Sequence, residues 1–164
     1  MKHQNPILNN LEKIVVNVGV GKLRAQSQFD EKVLPEVIKE LTSITGQAPA
    51  VRKAKKSIAG FKTREGDTIG LQVTLRRARM ADFFTKVIAT ALPRVKDFRG
   101  IEQGTMDEKG NLNIGFREHV VFPEIIPEKS KINFGMQVTI VPRVRGKEKA
   151  RALYQSLGVP LKKK

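Results

Sequence analysis

The 164-residue chain contains no cysteine, and that absence alone removes disulfide frameworks, thiolate metal sites, iron–sulfur clusters and cysteine nucleophiles. It has no tryptophan, one tyrosine and only 5% aromatic residues, which poorly supplies a base-stacking platform for single strands. Histidine occurs twice, at His3 and His119, far apart and without the carboxylate spacing of a His-Glu-x-x-His zinc site. Each reads as an ordinary surface or packing residue. No apolar run approaches the roughly 18 residues that cross a bilayer. The amino terminus shows neither a secretory h-region nor an Arg/Ser-rich amphipathic stretch. An intracellular location, compatible with a reducing compartment, is the resulting expectation. Acidic residues are also scarce, 16 against 31 Lys plus Arg, a formal charge of +15.

Hydrophobic residues make up 40% of the chain, enough for a core, so this is a folded basic protein rather than a disordered basic tail. Its length fits a single domain, 1–164. The charge is concentrated. Residues 52–79 hold nine basic side chains against Glu65 and Asp67, and residues 142–164 hold eight against Glu148, a net +7 in each. The remainder is nearly neutral. Clustered like charge repels itself unless phosphates neutralise it, and each Lys or Arg contact to a phosphate releases counterions and adds affinity. A membrane surface is the competing polyanion, but an interfacial helix sets its cations opposite a broad apolar face. The first run is instead punctuated by Gly60, Gly66 and Gly70, and reads as loop and strand. Nucleic acid is the expected partner.

Residues 11–18 are rich in β-branched side chains and are stopped by Gly19-Val20-Gly21, the pattern of a strand. Phe29, Val33, Val37, Leu41 and Ile44 recur at helical spacing, with Gly46 as the C-terminal cap. Pro35 implies either a start near Leu34 or a longer helix kinked there. Residues 50–56 read as extended, 57–68 as a long exposed loop and 69–76 as an alternating, half-buried strand. The stripe Met80, Phe83, Phe84, Val87, Ile88, Ala91 and Leu92 predicts a second helix ending at Pro93. Asp107-Glu108-Lys109-Gly110-Asn111 is turn chemistry inside a hairpin over 104–117. Residues 119–133 are broken by prolines, 134–142 form a last strand, and 148–157 a last helix carrying Ala152, Leu153, Tyr154 and Leu157. These elements predict an α+β fold, an antiparallel or mixed sheet with helices packed on one face.

Known motifs fail where they begin. Gly19-Val20-Gly21 opens like a dinucleotide fingerprint, but Arg24 stands where the third glycine belongs. There is no phosphate-binding Gly-x-x-x-x-Gly-Lys-Ser/Thr loop and no calcium-loop spacing in 107–118. Residues 109–116 superficially match an RNA-recognition signature, with Asn111 in place of a stacking aromatic. No cofactor and no catalytic constellation is implied. Folded RNA, read through its backbone, its 2′-hydroxyl groups and its shape, calls for basic and amide side chains, which are abundant.

The ordered segments Leu11-Glu12-Lys13-Ile14-Val15-Val16-Asn17-Val18-Gly19-Val20-Gly21, Ile44-Thr45-Gly46-Gln47 and Arg52-Lys53-Ala54-Lys55-Lys56-Ser57-Ile58-Ala59-Gly60-Phe61-Lys62 resemble the large-subunit ribosomal protein five family. The likeness continues through Val73-Thr74-Leu75-Arg76, Ala91-Leu92-Pro93-Arg94, Phe122-Pro123-Glu124-Ile125 and Ala150-Arg151-Ala152-Leu153, and covers about residues 8–161. The resemblance implies a non-enzymatic protein of the cytoplasmic ribosome. It would bind 5S ribosomal RNA in the central protuberance beside other ribosomal proteins, touch peptidyl-site transfer RNA and meet a small-subunit protein across an intersubunit bridge.

Carried over by motif, the resemblance places the 5S contacts at Asn17, Gln47 and Thr74, with Lys13, Lys22 and Arg76 in the same set. Carboxamides and hydroxyls suit ribose hydroxyls and base edges. The transfer-RNA contact falls on a basic loop projecting from the sheet, with Lys55, Lys56, Ser57, Gly60, Phe61, Lys62 and Arg64; its cations meet phosphates and Phe61 stacks on RNA. Only ten residues precede the first strand, where bacterial-type members usually begin with a further helix. Pro35 and the Lys162-Lys163-Lys164 end also depart from the family pattern, and the basic end from about 159 to 164 is expected to be mobile.

Overall fold

The structure, a computed structural model, describes residues 6–162; His3, Lys163 and Lys164 lie outside the described residues. Five strands form one open sheet: β1 (Leu11–Gly19), β2 (Ala50–Lys53), β3 (Thr68–Leu75), β4 (Leu112–Phe116) and β5 (Met136–Pro142). Their spatial order is β2-β3-β1-β5-β4 and every neighbouring pair is antiparallel. Of the two expected arrangements, the antiparallel one holds. The apolar β-branched run of β1 takes the central position, where both edges are paired, and the shorter, more polar β2 takes an edge.

The helices are α1 (Pro6–Asn10), α2 (Leu34–Thr45), α3 (Arg77–Lys86), α4 (Leu92–Arg94) and α5 (Lys147–Ser156). Alternate residues of each strand, among them Ile14, Val16, Leu71, Val73, Leu75, Val138 and Ile140, are buried with Val37, Leu41, Ile44, Phe83, Phe84 and Tyr154 in a single core. This is the α+β layering that the apolar periodicity implies.

Both helix-interior prolines have the same local solution. The turn Phe29–Val33 just before Pro35, and the turn Val87–Ala91 just before Pro93, are π-helical. A proline donates no hydrogen bond and its ring crowds the carbonyl four residues back, so the preceding turn widens and the helix runs on. The first helical region therefore spans 29–45, the longer of the two alternatives, and the second continues past Pro93 to Arg94. Gly46 caps α2 in the left-handed region at φ +70°, its N–H donating to Thr42 O at 2.8 Å.

Three local expectations are corrected. The hairpin over 104–117 has no first strand: Met106 makes a lone bridge to Leu112, and β4 takes its ladder from β5 instead. The last helix buries Ala150 and Tyr154 and leaves Ala152 exposed. Its Tyr154 hydroxyl contacts two carbonyl oxygens, Gly110 O at 2.8 Å and Ile140 O at 3.0 Å, which ties helix, turn and sheet together. His119 is neither a surface nor a merely packed ring. It is fully buried, stacked on Phe134 at 3.9 Å between centroids, with Nε2 2.8 Å from Glu40 Oε2. Near the carboxyl end, Val159 is buried, and Ile101 pairs with Leu161 through Ile101 N to Pro160 O (2.8 Å) and Lys162 N to Ile101 O (2.9 Å).

Candidate nucleic-acid interface

Alternation along the strands leaves a second face that no buried side chain occupies: Lys13, Val15 and Asn17 of β1, Gln72 and Thr74 of β3, Gln137 and Thr139 of β5, and Asn113 of β4 are half-buried or exposed. Register sets them in rows. Gln72, Asn17 and Gln137 stand side by side on three strands, and Thr74, Val15 and Thr139 form the next row, with Asn113 opposite Thr139. The result is a sheet of amides and hydroxyls.

These groups hold one another. Gln72 Nε2 donates to Asn17 Oδ1 at 3.0 Å, and Arg52 Nε donates to Gln72 Oε1 at 3.0 Å. Across β1, Thr139 Oγ1 and Gln137 Nε2 both donate to Asn113 Oδ1, at 2.8 and 3.1 Å. Gln47 enters from the end of α2, where Gly46 turns the chain. Its Nε2 donates to the Thr74 carbonyl at 3.3 Å, and its Oε1 accepts from Arg79 at 3.2 Å. Asn17, Gln47 and Thr74, picked out along 58 residues of sequence, thus converge around the β1–β3 pair. Gln72, Arg52, Gln137, Thr139, Asn113 and Arg79 are members of the same surface that sequence reading missed. The period-2 alternation of β3 and β5 is the signal that points to Gln72, Gln137 and Thr139.

The three cations of the expected 5S set lie in three different places. Lys13 shares its face, four residues along β1. Lys22 sits beyond the end of β1, where a groove of about 630 Å³ runs between Lys22 and Arg24 on one side and Phe61, Lys62 and Thr63 on the other. Arg76 lies at the opposite end of the sheet. There it lines a groove of about 450 Å³ with Arg77 and Arg143 above Leu8, Leu11 and Met80.

The segment joining β2 to β3 is closed at two levels. Ala54 N donates to Asp67 O (2.8 Å) and Gly66 N to Ala54 O (2.9 Å) at its base, while Ile58 and Thr63 exchange backbone bonds of 2.9 and 3.2 Å nearer the tip. The Asp67 carboxylate accepts the Arg64 N–H at 2.6 Å and pairs with Arg24 at 2.7 Å. The Arg64 N–H holds the Asp67 pKa below the ordinary carboxylate value, and Arg24 adds to this against partial desolvation. Lys55, Lys56, Ser57, Gly60, Lys62 and Arg64 are exposed, and Phe61 is 81% exposed rather than tucked into the core. No helix among the described residues is long and apolar enough to cross a membrane, and none of their acidic and histidine side chains form a metal-binding group.

An α+β domain with a polar, hydrogen-bonded sheet face and basic segments at both ends of that face carries the side chains that recognition of folded RNA calls for. The family description ribosomal protein L5 matches residues 6–64, and the description of the carboxyl-terminal part of the same ribosomal family matches 68–161. The large ribosomal subunit protein uL5 of Fusobacterium nucleatum subsp. nucleatum is 46% identical over 153 residues, which is 93% of this chain and 81% of that protein. Its namesake from Halothermothrix orenii is 45% identical over 150 residues, 92% and 82% of the two chains. The chain belongs to the ribosomal protein L5 family, structural proteins of the large ribosomal subunit.

Proposed function

We propose that this chain binds 5S ribosomal RNA in the central protuberance through the polar sheet face, with Asn17, Gln47 and Thr74 at its centre and Lys13, Lys22 and Arg76 supplying phosphate contacts. The observation that carries this reading is the convergence of those three polar residues on the β1–β3 pair, two of them tied into hydrogen-bonded frames. Uncharged donors and acceptors carry selectivity, and the two segments of net +7 supply attraction. In the same proposal the segment carrying Lys55, Lys56, Ser57, Gly60, Phe61, Lys62 and Arg64 touches peptidyl-site transfer RNA. Other ribosomal proteins of the protuberance, and a small-subunit protein across an intersubunit bridge, complete the set of partners.

The test is a comparison of 5S RNA with a length-matched unrelated RNA over a salt series. A preference for 5S RNA that persists as salt rises supports the reading. Equal affinity at every salt concentration leaves only the phosphate contribution and makes the chain a general polyanion binder.

A further inference from the structure

The bonds around Asn17 fix which of its atoms is offered to a ligand. Arg52 has donors only. Its Nε lies 3.0 Å from one end of the Gln72 carboxamide, and a second guanidinium nitrogen bonds the same atom. That atom must be the oxygen, so the end of Gln72 facing Asn17 at 3.0 Å is the NH2 group. It can only donate, and the Asn17 atom receiving it must be Oδ1. Exchanging oxygen and nitrogen in either amide would set two donors face to face, so the ambiguity that usually attends amide orientation disappears. Among the described residues, no group accepts a hydrogen bond from Asn17 Nδ2.

Strand register makes the arrangement possible. Arg52 is paired with Gly70 and reaches diagonally to Gln72, which is paired with Ala50. Gly70 carries no side chain to block that diagonal, and a Cβ there would stand 3.2 Å from Val18 O and 4.0 Å from Arg52 Cβ.

We infer that Arg52 and Gln72 are positioning residues, which turn Asn17 so that it presents its NH2 group outward as a donor. The RNA group it selects is then an acceptor: a base carbonyl or ring nitrogen, or a 2′-hydroxyl oxygen. This inference rests on the proposal that Asn17 contacts 5S RNA.

The experiment measures the ratio of 5S affinity to affinity for a length-matched unrelated RNA, using the full chain. Gln72→Lys has donors only towards Asn17 and keeps its orientation; Gln72→Glu has acceptors only and turns Asn17 over. The expected result is a ratio about tenfold lower for Q72E than for Q72K, with Q72E matching N17A. The double variant Q72E/N17A is expected to be no worse than N17A alone. Added charge shifts affinity for both RNAs together, so it does not imitate a change in the ratio. Equal ratios for Q72K and Q72E, or additive losses in the double variant, overturn the inference. A ratio unmoved by N17A overturns the proposed 5S contact beneath it, which is a separate outcome.

Discussion

Glu40 Oε2 lies 2.8 Å from His119 Nε2, and this pair clamps α2 to the irregular segment that follows β4. The His119 ring is fully buried against Phe134, its Nε2 also lies 3.1 Å from Ser130 Oγ, and Nδ1 receives a long bond of 3.5 Å from the Phe134 N–H. With Nδ1 as acceptor, the ring proton resides on Nε2, the nitrogen that lies between the Ser130 hydroxyl and the carboxylate. Glu40 Oε2 is buried and accepts no hydrogen bond among the described residues, and the His119 ring is the basic group beside it.

His119→Ala removes a buried ring stacked on Phe134 together with its hydrogen bonds, and the expected cost is about 1–3 kcal/mol of folding free energy. Glu40→Gln keeps an oxygen able to accept from the ring and costs less. Urea unfolding midpoints decide it: a loss under about 1 kcal/mol for H119A would show that the pair does not hold the segment.

Gly110 is required twice over. Its φ is +91°, and a Cβ there would stand 2.5 Å from Ala150 Cβ on α5. Gly110→Ala therefore pushes α5 from the sheet and strains the turn, with an expected loss of about 1–3 kcal/mol. Thermal unfolding reads this directly, and a melting temperature equal to that of the parent chain would refute it.

Burial pushes the pKa of the Tyr154 phenol well above its ordinary value. The unfolded chain loses this proton near about pH 10 while the folded chain retains it. Stability is thus fully present below that pH and falls as pH rises from there towards the folded value. Tyr154 is the only tyrosine, so its absorbance titrates cleanly. Ionisation of the folded chain at the pH of an exposed phenol would contradict the buried hydroxyl geometry. Tyr154→Phe should flatten the alkaline loss of stability.

The two RNA contacts should separate by substitution. Replacing Asn17 and Thr74 by Ala is expected to weaken 5S binding by about tenfold or more. Replacing Lys62 and Arg64 by Ala should leave the preference for 5S RNA intact, lower the contact with transfer RNA, and reduce the salt dependence of binding to it by about one ion per residue. Filter binding with each RNA distinguishes the two, and the reverse pattern would exchange the roles of the two surfaces.

Much of the fold was legible because period-2 and period-3.6 patterns report burial directly. Val16 and Val18 alternate with Asn17, and Val37, Leu41 and Ile44 mark the inner face of α2. The hairpin at 104–117 misled because turn chemistry at Asp107–Asn111 is local, whereas the partner of β4 is chosen by tertiary packing against β5. Gly110 and Tyr154 explain that turn better than any hairpin does. Asn17, Thr74 and Gln47 could be named through family likeness, but their supports could not. Arg52 and Gln72 are 20 residues apart, and Gln72 is 55 residues from Asn17. Only the order β2-β3-β1 makes them neighbours. His119 went unrecognised for a similar reason, since its partner is 79 positions away on α2.

The edge strand β2 is four residues long, exposed throughout, carries Arg52 and Lys53, and shifts register between them. A strand of this kind is a poor template for another chain: a second copy laid against it would meet its own cations and a broken ladder. For a ribosomal protein this matters wherever free copies of the chain meet before assembly. At this edge, charge and a broken ladder together disfavour strand pairing between copies of the chain.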